Sequence, residues 1–420
     1  MKKKLSAQTI YLIYLGASSL LFTLIFTVTG IFYIETVGVN PLQLVLIGTV
    51  LETACFIFEI PTGIVADMHS RKLSIIIGVT MIGFGFILEG LIPIYFIVLA
   101  SQVIWGVGAT FLSGADDAWI ADEIGEENLQ GLYLKGTQIS QICSLLGIFL
   151  STLLGNIHIQ LPILISGILF IFLGVFLVFF MPENGFTPIE TKNKNTWGKM
   201  GHTFIEGMKF VKTRPILIIT LCISLFYGLY SEGFDRLWSA HFLKELQFPT
   251  VLELKPVTWF GIINSFAMIL SIIGVRIIER KSENSGKIQK IRFLVILNIL
   301  LVVSIISFGF SGRFTLAVMV YWAAYIIRTA NSPIYRAWIN ENLESRVRAT
   351  VLSTIGQFDA LGQILGGPII GYIALKLSIS KAIVIAGVIL SPVILLFLLA
   401  YYRTKSAIIL EKDNQNIKSL

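Results

Sequence analysis

Residues 161–181 read LPILISGILFIFLGVFLVFFM, a stretch in which no side chain is charged. An α-helix rises about 1.5 Å per residue, so about 20 such residues cross the hydrocarbon core of a bilayer. Lipid offers no hydrogen-bonding partner, and each spanning segment therefore satisfies its own backbone groups as a helix. Because such stretches recur along the chain, we predict an all-α integral membrane protein. Its twelve transmembrane helices are expected at about residues 10–34, 42–66, 73–91, 94–112, 136–154, 161–181, 216–238, 257–275, 293–310, 314–330, 350–375 and 382–402.

The composition agrees with a chain that lies mostly in lipid. Of its 420 residues, 55% are hydrophobic and 14% are charged, whereas a soluble domain has about 25% charged residues. The mean hydropathy is +0.81. The three cysteines lie inside apolar stretches, as small buried side chains do, and the four histidines are scattered. We expect no resident metal, no cofactor and no enzymatic activity.

The distribution of basic residues orients the chain. If both termini are cytoplasmic, the cytoplasmic segments hold 25 of the 32 Lys and Arg residues, and the external segments hold five. A bias of this kind is the positive-inside rule. It accounts for the net charge of +7 without a nucleic-acid partner. We therefore predict a multi-pass protein of the bacterial cell membrane with both termini in the cytoplasm.

The longest polar stretch, residues 182–215, divides the twelve spans six and six. We predict an N-terminal six-helix bundle at residues 1–181, a C-terminal bundle at 216–402 and a cytoplasmic tail at 403–420. Within the linker, residues 197–212 mix apolar side chains with lysines, which is typical of a helix at the inner membrane surface. Such a linker would let the two bundles rock against each other.

The two halves resemble each other in sequence. A shift of 219 residues aligns Ser113–Ile120 (SGADDAWI) with Ser332–Ile339 (SPIYRAWI), at the ends of the fourth and tenth spans. Six-helix halves related by an axis along the membrane normal are typical of one large class of transporters. The repeat favours alternating access over a channel, and no catalytic dyad, nucleotide loop or metal cluster is visible.

The loop after the second span reads GIVADMHSRK, from Gly63 to Lys72. It resembles the signature G-x-x-x-D-x-x-G-R-[KR] of the major facilitator superfamily, which occupies the same loop. The sequence departs from the signature at Ser70, where the family has glycine, and at Met68, where it has a basic residue. The resemblance covers the whole chain in topology and implies two pseudo-symmetric six-helix bundles.

The resemblance also implies a conformational latch. Asp67 would lie at the N-terminus of the eleventh helix, where the helix dipole favours a carboxylate. Arg71 would pair with Asp117 or Asp116 at the end of the fourth span and would hold the halves closed inside. The alternative is that Arg71 and Lys72 are simply positive-inside anchors.

The eleventh span contains GQILGGPIIG, from Gly362 to Gly371. This segment resembles the glycine-proline motif that antiporters of the superfamily carry in the fifth span. Small residues allow helices to approach closely, and a proline can bend a helix. We expect either close packing or a hinge, at Gly366, Gly367, Pro368 and Gly371. A second departure is Gln102, where drug antiporters of the superfamily often have arginine.

Acidic residues inside the spans point to transport chemistry. Ionisable groups at membrane depth are costly and are rarely present without a role. A carboxyl group in a low-dielectric cavity can exchange a proton as its access alternates, and it can receive a cationic or metal-chelated drug. The candidates for these roles are Glu52, Glu59, Glu89 and Asp359, and the alternative role for each is a structural hydrogen bond between helices. In the seventh span, Glu232, Asp235 and Arg236 favour a structural ion pair.

The chain length, the D-x-x-S-R-K loop and the glutamates Glu52, Glu59 and Glu89 are similar to those of the clostridial tetracycline efflux proteins. This resemblance implies proton-driven export of tetracycline as its divalent-cation chelate, with Mg²⁺ present only as part of the substrate, and antibiotic resistance. We expect a monomer whose partners are lipid, drug and protons. The alternatives are a macrolide or other lipophilic-drug exporter of the same fold and, disfavoured by the few central polar residues, a nutrient symporter.

Overall fold

The computed structural model describes residues 5–187, 214–250, 253–282, 285–343 and 348–418. These ranges contain helices and no strand. Eleven of the helices in them are long and apolar enough to cross a bilayer. The all-α membrane fold predicted from the sequence is thereby confirmed, while the amphipathic helix predicted at residues 197–212 lies outside the described residues.

The described helices fall into two compact units. Among the described residues, the first unit holds those up to residue 187 together with those of Phe248–Ser265, and the second holds residues 214–247 and those from residue 266 onward. The predicted bundle boundaries stay a prediction. The helices of the first unit are α1 (Ala7–Ile31), α2 (Pro41–Met68), α3 (Arg71–Leu91), α4 (Tyr95–Leu112), α5 (Ala115–Ile124), α6 (Leu129–Ile157) and α7 (Leu161–Phe180).

The second unit begins with α8 (Pro215–Lys244). The helix α9 (Pro256–Ser282) starts in the first unit and continues into the second. The remaining helices are α10 (Lys287–Gly309), α11 (Phe314–Asn340), α12 (Arg348–Lys376), α13 (Ile379–Leu390) and α14 (Pro392–Lys418).

The tenth predicted span differs from the others. It forms α11, which extends ten residues beyond the predicted end at Ala330 to Asn340. This helix is not among the eleven apolar enough to span by composition. Its second half carries Arg328 and Arg336 beside several polar residues, so the polar groups on α11 need partners inside the second unit.

The ends of the helices follow local sequence signals. Asn40 caps α2, because its side chain accepts a hydrogen bond from the Gln43 amide at 2.9 Å and the Gln43 side chain accepts one from Asn40 at 3.0 Å. Between α3 and α4 the chain turns at Pro93, as predicted. The first helix continues through a π-helical turn, Phe32–Val37, which ends at Gly38 in the left-handed conformation (φ 75°).

The glycine-rich segment of α12 packs directly against α8. A Cβ added at Gly366 would collide with the backbone carbonyl of Leu229, and one added at Gly362 would collide with that of Leu225. From the other side, a Cβ at Gly228 would collide with the carbonyl of Asp359. The helix continues through Pro368 without ending. Close packing, one of the two roles predicted for this segment, is present at Gly366, and the hinge stays a prediction.

We expect Gly366→Ala to destabilise the second unit by about 1 to 3 kcal/mol, because the added methyl group meets backbone that cannot rotate away. The matched control is Gly356→Ala in the same helix, where an added Cβ meets no atom within 4 Å among the described residues. This control should keep or raise stability, since alanine favours helix by up to about 1 kcal/mol. Thermal unfolding of the detergent-solubilised protein measures both, and equal midpoints would contradict the close packing.

The start of α13 is fastened to the end of α8 by Glu245. Its carboxylate accepts hydrogen bonds from the backbone amides of Ile379 at 3.0 Å and Ser380 at 2.9 Å. The ring Nδ1 of His241 lies 2.9 Å from the same carboxylate. Burial raises the pKa of Glu245, but the hydrogen bonds from His241 and Ser380 outweigh burial, and the pKa lies below its ordinary value.

A carboxylate with a lowered pKa stabilises the folded state at neutral pH, and this contribution is lost as the pH falls through the folded-state pKa. We therefore expect Glu245→Gln to lower the unfolding midpoint at pH 7 and to lower it less at a pH below the folded-state pKa of Glu245. Glu127→Gln, at an exposed position, is the control and should leave the unfolding midpoint unchanged at both pH values. A difference between variant and wild type that stays constant with pH would contradict this role of the charge.

Candidate functional site

A carboxyl group lies fully buried inside the first unit. Glu89, near the end of α3, is 0% exposed. The Tyr33 hydroxyl, in the π-helical turn after α1, donates a hydrogen bond to Oε1 of Glu89 at 2.8 Å. From α4, the Ser101 hydroxyl and the Gln102 amide donate to Oε2 at 2.7 Å and 2.9 Å. Three segments of the unit therefore converge on this one carboxylate.

Gln102 organises the surroundings of that carboxylate. Its Nε2 also donates to the Tyr33 hydroxyl at 3.2 Å, and its Oε1 accepts a hydrogen bond from the Trp105 indole at 2.9 Å. The indole can only donate, so it fixes which end of the Gln102 amide faces Glu89. The residue that replaces the arginine of drug antiporters thus belongs to the network of Glu89.

Glu52 and Glu59 lie on α2, and Cys55 lies between them on the same face. The Cys55 thiol contacts the Gly106 carbonyl of α4 at 3.6 Å. Oε1 of Glu59 accepts a hydrogen bond from the Ser113 hydroxyl at 2.7 Å. Ser113 follows the end of α4 and is twelve residues from Ser101, which corresponds to about 18 Å of helix rise. The partners of Glu59 and Glu89 on α4 are therefore about three helical turns apart.

The structure corrects the predicted partner of Arg71. Its guanidinium pairs with Asp122 on α5, not with Asp116 or Asp117, and it also donates to the Ala118 carbonyl at 2.6 Å. The reason is that the fourth span is followed by a separate helix, α5, whose i, i+4 spacing brings Ala118 and Asp122 to one face. The sequence analysis placed Asp116 and Asp117 at the end of the fourth span and did not predict a separate helix after it.

Asp117 and Asp116, in the first turn of α5, face tyrosines instead. Oδ1 of Asp117 accepts a hydrogen bond from the Tyr11 hydroxyl of α1 at 3.3 Å. Asp116 lies beside the hydroxyl of Tyr14. Asp67 and Gly63 lie in the last two turns of α2, and Asp67 is exposed. The proximity of Asp67 to the eleventh span stays a prediction.

The departure at Ser70 has a structural cause. The Ser70 hydroxyl caps α3 by accepting a hydrogen bond from the Leu73 amide at 2.9 Å, and it donates to Glu183 at 2.7 Å. Glu183 also accepts from the Lys72 amide at 2.9 Å. Lys72 itself donates to the Val178 carbonyl at 3.1 Å. A serine therefore ties the start of α3 to the chain that follows α7, which a glycine could not do.

The seventh-span group divides between two ion pairs in the second unit. Nε of Arg236 donates to Glu232, which is 4% exposed, at 2.9 Å, as the i, i+4 spacing predicts. Asp235 points to another helix. It accepts two hydrogen bonds from Arg328 of α11, one of them from Nη2 at 2.7 Å. Sequence reasoning placed Arg328 inside a span without assigning it a partner, although a membrane-embedded arginine requires one.

The second unit also encloses a cavity of about 710 Å³. Its walls come mainly from α8, α11 and α12, and they combine tyrosines, small polar side chains and four charged groups. Asp359 lines it from α12 and accepts a hydrogen bond from Gln363 at 2.8 Å. A volume of this size is typical of sites for small organic molecules, which are about 300 to 1,000 Å³. The charged lining residues are Asp235, Arg328, Arg336 and Asp359.

We expect Arg71 to be energetically coupled to Asp122 and not to Asp117. In a double-mutant cycle, Arg71→Gln with Asp122→Asn should show a coupling of about 0.5 to 1 kcal/mol, because each single change removes the same partly exposed ion pair. Arg71→Gln with Asp117→Asn is the control and should be additive. Unfolding midpoints of the four proteins in each cycle provide the measurement, and coupling confined to Asp117 would contradict the observed pairing.

Comparisons with known proteins agree with this architecture. The model of the Major Facilitator Superfamily matches residues 10–356. An uncharacterised MFS-type transporter of Bacillus subtilis, YxaM, is 23% identical over 377 residues, which cover 88% of this chain and 90% of the relative.

Two solved transporters share the fold. The nucleoside transporter NupG superposes with a TM-score of 0.75 at 13% identity, over 95% of this chain and 99% of NupG. A bacterial homologue of the human lysosomal transporter Spinster superposes with a TM-score of 0.75 at 14% identity, over 96% of this chain and 98% of the homologue. The match to the family model spans most of the chain, and the chain therefore belongs to the Major Facilitator Superfamily, a class of membrane transporters and not of enzymes.

Proposed function

We propose that this transporter exports tetracycline, as its divalent-cation chelate, in exchange for protons, and so confers antibiotic resistance. In this proposal it works as a monomer in a bacterial cell membrane, with both termini in the cytoplasm. The proton gradient is the energy source, and Mg²⁺ enters only with the substrate.

The observation that carries proton coupling is the environment of Glu89. The carboxyl group is fully buried, and the groups that bond it include two neutral hydroxyls and one neutral amide. An ionised carboxyl buried in protein costs several kcal/mol unless it is well compensated, whereas a protonated carboxyl costs much less. The hydroxyls of Tyr33 and Ser101 can donate to the ionised form and accept from the protonated form by rotation. The network can therefore hold either form of Glu89.

Glu52 and Glu59 extend this role along α2. Both lie on one helix face, and the Ser113 hydroxyl bound to Glu59 can likewise donate or accept. Because the partners of Glu59 and Glu89 on α4 are separated by about 18 Å of helix rise, a proton that visits both would move stepwise between them. The proposal assigns proton transfer to this series of glutamates in the first unit.

Support for the substrate comes from the sequence resemblance and from the cavity of the second unit. The resemblance to the clostridial tetracycline efflux proteins includes the positions of all three glutamates. The cavity of about 710 Å³ is lined by Tyr227, Tyr230 and Tyr335 together with carboxylates. Aromatic walls with a few polar groups suit a flat, fused-ring drug whose oxygen-rich edge carries a bound cation.

The motif loop supplies the conformational part of the proposal. Arg71 is bound to Asp122, and Ser70 and Lys72 are bound to Glu183, so the loop is rigidly attached to the first unit. The rigid attachment of this loop holds the exposed carboxylate of Asp67 at a fixed helix end. Such a carboxylate can serve in a latch that forms and breaks as the transporter changes between its inward-open and outward-open states.

Tetracycline uptake into inside-out membrane vesicles tests substrate and coupling ion together. With Mg²⁺ and an imposed pH gradient, the wild type should accumulate labelled tetracycline. Glu89→Gln should reduce gradient-driven accumulation at least tenfold, because glutamine keeps the size and hydrogen-bonding capacity of the side chain but cannot bind and release the proton.

Glu127→Gln, which removes an exposed carboxyl outside the network, is the control and should transport normally at the same membrane level. Failure of the wild type to accumulate tetracycline would reject the substrate. Accumulation that persists in Glu89→Gln at the wild-type rate would reject Glu89 as a coupling residue.

A further inference from the structure

The four charged side chains that line the cavity of the second unit are not equivalent. Asp235 and Arg328 neutralise each other through a two-point ion pair between α8 and α11. The guanidinium of Arg328 also lies 5.8 Å from the ring centroid of Tyr230, within the range of a cation–π contact. Both charges of this pair are committed to the protein, so the pair presents no net charge to a ligand.

Asp359 has a different environment. Within the part of the chain that the structure describes, its side chain accepts one hydrogen bond, from Gln363 on the same helix, and forms no ion pair. An ionised carboxylate offers about four acceptor positions, so one amide leaves most of them open. Because Asp359 lines the cavity, its carboxyl group in the ionised form gives this wall a negative charge that Gln363 does not cancel.

Arg336 provides a charge of the opposite sign. It lines the same cavity from α11, its side chain is exposed, and it has no ion-pair partner among the described residues. It lies eight residues beyond Arg328, which corresponds to about 12 Å along the helix. Arg336 therefore lies about 12 Å along α11 from the point where the Asp235–Arg328 pair bridges α8 and α11.

The aromatic wall of the cavity is held in place. The Tyr227 hydroxyl donates to Oδ1 of Asn298 at 2.8 Å and accepts from Nδ2 of Asn331 at 2.8 Å. Its ring meets that of Tyr335 edge to face, with centroids 5.5 Å apart. A wall fixed by such contacts loses little conformational entropy when a ligand binds, which favours a flat, rigid ligand.

We propose that this cavity is a binding site for dipolar aromatic compounds, in which Asp359 receives the cationic or cation-chelating part of the ligand and Arg336 receives its acidic part. The Asp235–Arg328 pair is then a neutral part of the wall and does not bind the ligand's charges. This inference rests on the proposed function for its substrate class, since a chelated tetracycline carries both a bound cation and an acidic group. In this proposal, ligand binding takes place at Asp359 in the second unit, and proton binding takes place at the glutamates of the first unit.

The test measures dissociation constants for the purified full-length protein in lipid nanodiscs. The probes are tetracycline with Mg²⁺, the dipolar fluoroquinolone norfloxacin, the cation tetraphenylphosphonium and the anion 1-anilinonaphthalene-8-sulfonate. The wild type should bind the two dipolar probes most tightly. Asp359→Asn should weaken the binding of both dipolar probes at least tenfold and should also weaken the binding of tetraphenylphosphonium. Asp359→Glu should have dissociation constants within about threefold of the wild-type values.

Arg336→Gln should weaken the two dipolar probes and the anion but not the cation. The cation thus loses affinity in Asp359→Asn, and the anion loses affinity in Arg336→Gln. This difference between the two singly charged probes indicates one negative and one positive end of the site, and a loss of folding could not produce it. Thermal unfolding of each variant identifies any that do not fold. Asp359→Glu keeps the negative charge and provides a second comparison. The proposal also fails if folded Asp359→Glu binds the dipolar probes no better than Asp359→Asn.

Equal dissociation constants in wild type and folded Asp359→Asn, for every probe, would overturn the proposal. The outcome for tetracycline is separate. If the wild type neither binds nor transports tetracycline but binds norfloxacin in an Asp359-dependent way, the proposed function fails and the site stands. If tetracycline is transported and its dissociation constant is the same in wild type, Asp359→Asn and Arg336→Gln, the proposed function stands and the proposed binding site is rejected.

Discussion

A polar group inside a bilayer has no water to bond with, and this constraint governs nearly every feature of the two units. The backbone meets it by forming helices throughout the described ranges. Side chains meet it by local bonds to the preceding turn, as Thr29 does to the Ile25 carbonyl at 2.7 Å, or by bonds between helices. Glu89 and Asp235 use the second solution, since hydrogen-bond donors from neighbouring segments of the same unit reach their carboxylates.

The same constraint leaves little hydrophobic driving force between helices, since lipid is as apolar as leucine. Van der Waals contact between closely approaching backbones stabilises the helix pairs instead. On α8 and α12, glycine at positions 228, 362 and 366 allows each helix to touch the other's carbonyls. The polar residues that line the cavity lie on the same two helices, and Asp359 is itself a backbone contact of Gly228. The tight helix pair therefore positions one wall of the cavity.

Much of the fold followed from periodicity and composition alone. Apolar length placed the spans. The clustering of Glu232, Asp235 and Arg236 in the seventh span indicated an ion pair there, because both inferences depend only on neighbours along one helix. The partner of Arg71 did not follow. It depends on α5, a short helix that was not predicted as separate from the fourth span, and Asp117 and Asp122 lie on different faces of it. Likewise, the π-helical turn that carries Tyr33 to Glu89 has no signature in composition.

Arg328 shows where sequence reasoning stops. A lone arginine in a span demands a carboxylate, but the sequence offers several, and only the rotation of α8 about its own axis decides between Glu232 and Asp235. Residues at i and i+3 on a helix are about 60° apart around the axis, so both cannot face the same neighbour equally well. The structure directs Asp235 to Arg328 and leaves Glu232 to Arg236. Asp235 therefore lines the cavity as one half of an ion pair, whereas Asp359 lines it without an ion-pair partner among the described residues. The orientation of α8 about its own axis thus places Asp235 at the cavity, on the helix that packs against the glycines of α12.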